Sequence, residues 1–116
     1  MKQDEFRRYC LSKKGVTEEY PFDEVTQVFK VKGKIFAITV FDFPLRVNLK
    51  CDPERAAELR ERHEDIVPGY HMNKKHWNTV NFEGKLSDKE LESMINSSYE
   101  LVVSGLNKKL KEELNK

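Results

Sequence analysis

A chain of 116 residues has room for one hydrophobic core, and we read residues 1–116 as a single domain. Lys and Arg total 21 against 20 Asp and Glu, a formal charge of +1, so no global excess of cations marks the chain as a polyanion binder. No apolar run approaches the roughly 20 residues that cross a bilayer, and the opening Met-Lys-Gln-Asp-Glu lacks the apolar region of a secretory signal. Cys10 and Cys51, far apart and without an export signal, are expected to be free thiols in a reducing cytoplasm.

In chain order, Phe6, Tyr9 and Cys10 form an apolar stripe at helical spacing within residues 2–14, with Gly15 placed to end it. Residues 17–23, containing Pro21, read as a connection. Three strands are expected next. Residues 25–31 put Val25, Phe29 and Val31 on one face, with Gln27 an interruption. Residues 35–41 are apolar on both faces, as in a central strand. Lys32-Gly33-Lys34 between them suits a hairpin with glycine at positive φ. After Asp42-Phe43-Pro44, residues 45–50 alternate, with Leu45, Val47 and Leu49 inward and Arg46, Asn48 and Lys50 outward.

Asp52-Pro53 starts a helix reaching about Glu64, because Asp can cap exposed N–H groups and Pro at the first position gives up a donor that has no partner there. Ala56, Leu59 and His63 share one side of it. Pro68-Gly69 stops any continuation, and residues 76–82 suit another strand. Ser87 and Glu90 have capping-box spacing at the head of the last helical region, which Ser97-Ser98 or Gly105 could bend or break. From about residue 107 the tail is expected either to extend that helix or to fray. The order α-βββ-α-ββ-α makes this an α+β protein, an antiparallel sheet with helices packed on one face.

The chemistry concentrates in Pro68–Val80, which holds the only Trp and two of the three His. His71 and His76 lack zinc-site spacing, so no metal is expected. No nucleophile elbow, Cys-His pairing or glycine-rich phosphate loop occurs, which argues for no cofactor and against an enzyme. Lys74-Lys75-His76-Trp77, with Arg46, Asn48 and Lys50 outward on a strand and Lys30, Lys32 and Lys34 near a hairpin, offers cations beside an aromatic ring. Lys could contact phosphates and an exposed Trp could stack on a base. Against this, a lone Trp near Val80 and Phe82 is more often core than stacking platform, and lysines at hairpins are the usual solvated edge.

The thirteen residues from Pro68 to Val80 resemble the central motif of the MmcQ/YjbR family. The resemblance extends to Tyr20-Pro21-Phe22, Phe29-Lys30-Val31, Gly33-Lys34-Ile35-Phe36-Ala37, Leu91, Ile95 and Ser98-Tyr99-Glu100-Leu101-Val102, nearly the whole chain. The chain departs from the family pattern at Asp23, where Gly is usual, and at Asn107, where Pro is frequent. The resemblance implies a compact α+β domain and a DNA-binding role through a double-wing arrangement, with no general reaction. Carried over by residue, the motif marks Tyr70, His71, Asn73, Lys74, Lys75, His76, Trp77 and Asn78, and the outward Arg46 joins them on charge. The leading expectation is weak, phosphate-directed DNA binding. The alternative is a protein- or small-ligand-binding module with Tyr70, His71 and Trp77 lining a concave site.

Overall fold

The computed structural model describes residues 1–69 and 72–116. Its elements are α1 (Gln3–Leu11), β1 (Val16–Glu19), β2 (Thr26–Val31), β3 (Lys34–Val40), β4 (Arg46–Lys50), α2 (Pro53–Arg62), β5 (Ile66–Pro68), β6 (Trp77–Asn81), α3 (Asp88–Ser104) and α4 (Lys108–Leu114). The strands form one antiparallel sheet in the order β1-β2-β3-β4-β6-β5. The α+β class and the one-sided helical layer hold.

Local chemistry explains most boundaries. The Asp52 carboxylate accepts from Arg55 N with Pro53 at the first turn of α2, and Ser87 and Glu90 form the reciprocal capping box of α3. Lys32 and Gly33 both take positive φ (49° and 81°), making the tight turn that joins β2 to β3.

The helices cover one face of the sheet. Phe6 of α1, Leu59 of α2, Leu91, Ile95 and Val102 of α3 and Leu114 of α4 close over Phe29, Val31, Val47, Leu49 and Val80. Phe6 meets Phe29 and Phe82 edge-on, with centroids 5.3 and 5.4 Å apart.

Several local expectations are corrected. Residues 17–23 are not all connection, because Val16–Glu19 pairs with β2 as an edge strand. Alternation was hard to see there, since Thr17, Glu18 and Glu19 are polar on both faces. Val25 lies outside β2 and is 51% exposed. Gln27 is buried, and it is no interruption: it accepts from Gln3 Nε2 and donates to Tyr20 Oη and to the Glu18 carboxylate. Arg7 Nε in turn donates to both Glu18 carboxylate oxygens, at 2.9 and 3.0 Å, with Nη2 2.9 Å from Oε1. The Arg7 hydrogen bond lowers the Glu18 pKa below the usual carboxylate range despite opposing burial. His63 ends α2 and adds nothing to its buried side, which is Ala56 and Leu59.

At the C-terminus the helix neither runs on nor frays. It stops at Gly105, and Asn107 Oδ1 accepts from Leu110 N to start the separate α4. Ser98 does not bend α3. It is fully buried, donates to the Phe36 carbonyl (2.6 Å) and accepts from Lys50 N (2.8 Å).

That hydroxyl answers a defect in the sheet. The β2–β3 register jumps from Phe29↔Ala37 to Lys30↔Ile35, leaving Phe36 as a bulge residue without a β2 partner. The bulge turns consecutive residues Phe36 and Ala37 both toward the helices. Phe36 meets Tyr99 of α3 edge-on at 5.5 Å, while Ile35 and Ile38 go to the opposite face.

Asn78 is a second polar tie. Only 2% exposed, it donates through Nδ2 to the Ala56 carbonyl of α2 (3.4 Å) and accepts from Arg60 Nη1 (2.8 Å). It pins α2 to β6.

Two outcomes are expected. Ser98→Ala and Asn78→Ala each orphan buried backbone or side-chain partners, so each should lose about 2 kcal/mol in urea unfolding; a change below about 0.5 kcal/mol would contradict these ties. The second concerns Glu18. A lowered folded-state pKa contributes stability that is present above the unfolded carboxylate pKa and lost as pH falls through the folded value. Glu18→Gln should therefore lower the melting temperature at neutral pH, and the gap should close on acidification below about pH 4. A gap constant from neutral to acid pH would refute this.

Candidate functional site

Among the described residues no helix lies over the sheet face away from α1–α4. Across its centre the register aligns Val28, Ile38, Asn48, Thr79 and Val67, one residue from each of five strands. Two segments rise beside this row. On one side the connection 20–25 is tied to the end of β3 by Phe41 N donating to the Val25 carbonyl (3.1 Å), by Tyr20 stacking on Phe41 (6.0 Å), and internally by Asp23 accepting from Val25 N and Thr26 N. On the other side stand Val67 of β5 and Met72. Between them lies a concavity of about 810 Å³.

Its floor and walls are mostly apolar: Ile35, Ile38, Val40, Phe22, Val67 and Met72. The polar exceptions are few. Thr79 Oγ1 donates to Asn48 Oδ1 in the floor, Thr26 and Thr39 also line it, and Arg46 and Asp42 stand beside Pro44 at the β3–β4 end. This combination of apolar lining with a few placed polar groups, in the range of roughly 300–1,000 Å³, characterises sites for small organic molecules. Phe22 and Phe43 are 67% and 79% exposed, large apolar side chains in water near its edge.

A smaller cleft of about 390 Å³ separates α2 from α3, floored by Leu49 and Val80 and reached by Cys51. Burial pushes both the Cys51 and the Cys10 thiol pKa up, so neither is poised as a thiolate nucleophile. Both cysteines are free. Among the described residues no group of three His, Cys, Asp or Glu side chains is arranged to hold a metal ion, and no helix is long and apolar enough to cross a membrane.

The residues singled out by sequence do not converge on one point. Arg46 is exposed on the open face. Asn78 faces the helices and is consumed by the α2 tie. Strand alternation puts Asn78 and Thr79 on opposite faces, so Asn78 cannot serve a ligand on the open side.

Asn73 shapes the loop: its Oδ1 accepts from Lys75 N, and its carbonyl accepts from His76 N and Trp77 N. Lys74 donates from Nζ to the Gly69 carbonyl (3.3 Å), and its own carbonyl accepts from Arg60. Lys75 and His76 are exposed. Trp77 is half-buried. It lies against Gly69, where an added Cβ would come within 2.8 Å of the Trp77 Cβ, so only glycine fits there. Tyr70 and His71, also singled out, lie outside the described residues.

The hairpin lysines are partly neutralised, Lys30 by Glu19 (3.2 Å) and Lys32 by Glu113 (3.6 Å). Residues that sequence reasoning passed over as site candidates are Ile35, Ile38, Phe22, Met72 and Thr79. The signal for the isoleucines was a strand apolar on both faces, which reads as a doubly covered strand until the second cover is seen to be missing.

Comparison with known proteins agrees with this fold. A family model described as YjbR matches residues 11–101. The chain is 41% identical over 105 residues to the uncharacterised protein YbdF of Escherichia coli O157:H7, covering 89% of this chain and 85% of that one. It is 35% identical over 102 residues to the uncharacterised protein YjbR of Escherichia coli K12, covering 86% of each. Among solved structures it is similar to Deinococcus radiodurans protein DR2400, described as a DUF419 domain, with a TM-score of 0.90 and 42% identity over 97% of this chain and 86% of that one. A Pseudomonas syringae protein follows with a TM-score of 0.77 and 31% identity over 87% of this chain and 98% of its own. From the pairing of its strands to the extent of these matches, the chain belongs to the YjbR family.

Proposed function

We propose that this chain is a non-enzymatic binding module that takes a small organic ligand on the open face of its sheet. The observation that carries this reading is the concavity of about 810 Å³, apolar in floor and walls and supplied with a few polar groups. A sheet sealed on one side by four helices is a preformed platform on which such a ligand costs little reorganisation. The compartment we infer is the cytoplasm, where two free thiols persist.

A second reading is DNA binding through Lys74, Lys75 and Arg46. It draws on the exposure of Lys75, His76 and Arg46. Against it stand the ion pairs of Lys30 with Glu19 and of Lys32 with Glu113, which offset two of the hairpin cations such a surface would use.

Amide NMR separates the two. Mixtures of small metabolites should shift the signals of Ile38, Asn48 and Thr79, while duplex oligonucleotides leave the spectrum unmoved. The ligand reading fails if no mixture moves the open-face amides. Salt-sensitive duplex binding that Lys74→Ala/Lys75→Ala weakens would establish the second reading instead.

A further inference from the structure

We infer that the ligand of the open face is a free organic anion, an extended apolar body ending in one anionic group that meets Arg46. This rests on the ligand-binding reading above and adds the chemistry of the ligand.

Three observations on one face lead there. The first is Arg46, which is exposed at the β3–β4 end of the concavity and whose guanidinium has no hydrogen bond or ion pair with any described residue, its carbonyl alone accepting from the Thr39 hydroxyl. Two acids near that end bond elsewhere: Asp42 Oδ1 accepts from Phe43 N (2.8 Å), and Glu83, two residues past the Arg46 strand partner Asn81, accepts through Oε2 from Leu45 N (2.6 Å). The guanidinium is thus a fork of donors, and a carboxylate or phosphate fits it two-pronged.

The second is Asn48, two residues along the same strand and on the same face. Its Oδ1 is taken by the Thr79 hydroxyl, which leaves the amide NH₂ as its remaining group, and that NH₂ bonds to no described residue. Two donor groups therefore stand in line on β4, and the Asn48 oxygen beside them is already occupied.

The third is the apolar floor beyond them, Ile35, Ile38 and Val40 on β3 with Val67 and Met72 across the sheet. An inorganic anion leaves that floor wet, whereas an alkyl or aryl body removes it from water while its head group stays at Arg46. The walls formed by residues 20–25 and by β5 make the surface concave, so a monomeric ligand reaches the floor and a flat bilayer does not.

The test uses the full chain with sub-micellar decanoate and with decanol, the uncharged molecule of equal chain length, followed by calorimetry and amide NMR. Decanoate should bind about tenfold more tightly than decanol, shift Ile38, Asn48 and Thr79, and lose its advantage in Arg46→Gln. Because the Arg46 side chain is exposed and bonds to no described residue, that variant should fold normally. Raising the salt concentration on the unaltered protein should shrink the same advantage without any substitution. Equal binding of decanoate and decanol, unaffected by Arg46→Gln, overturns the anion while leaving the ligand reading intact. Binding of neither compound, or binding only to phosphatidylglycerol vesicles, also overturns it. The wider reading falls only if the metabolite mixtures leave the open face unmoved as well.

Discussion

The pairing of β4 with β6 is the constraint on which the rest of this structure depends. Its register, from Arg46↔Asn81 to Lys50↔Trp77, sorts each strand's side chains between two very different environments. Val47, Leu49, Asn78 and Val80 go under the helices, while Arg46, Asn48 and Thr79 go to the open face. A slip of one residue would reverse every assignment, exposing the core valines and burying an arginine. The tie from Asn78 to Ala56 and Arg60 works against that slip, because only one register places the amide beneath α2.

The bulge at Phe36 has an equally wide reach. Without it, strict alternation would put Phe36 on the same face as Ile38, filling the open side with an aromatic ring and leaving a gap beneath α3. The extra residue moves the ring into the core, where it meets Tyr99, and leaves a hollow floored by smaller isoleucines. The backbone groups that result are satisfied by a single hydroxyl, Ser98, which bridges the Phe36 carbonyl and Lys50 N from the middle of α3. Helix, bulge and hollow are one arrangement. The side facing the helices stabilises the fold, and the side facing solvent supplies the concave surface.

Seen this way, the segment from Pro68 to Val80 divides differently from its composition. Pro68 and Thr79 belong to the β5–β6 pair, Gly69 makes room for Trp77, Asn73 shapes the turn, and Asn78 holds a helix. Much of this distinctive sequence therefore builds structure around the site. The ligand-facing chemistry lies instead on plainer residues such as Ile35, Ile38 and Asn48, spread over two strands.

The sequence by itself determined the starts of α2 and α3, the Lys32-Gly33 turn, the inward and outward alternation of residues 45–50 and the family. Each of these is a short-range pattern written in adjacent side chains: a cap, a positive-φ glycine, a period of two. Tertiary structure alone decided the rest. Edge strand β1, polar at Thr17, Glu18 and Glu19, shows no alternation of its own and forms because β2 offers it a partner. Gln27 looked misplaced until Gln3, Tyr20 and Glu18 gathered around it. Asn78 and Arg46 looked like neighbours in function, yet the pleat sends them to opposite sides of the sheet. The hollow itself arises where strands distant in sequence lie side by side and no helix covers them, and a missing cover leaves no mark in the order of residues.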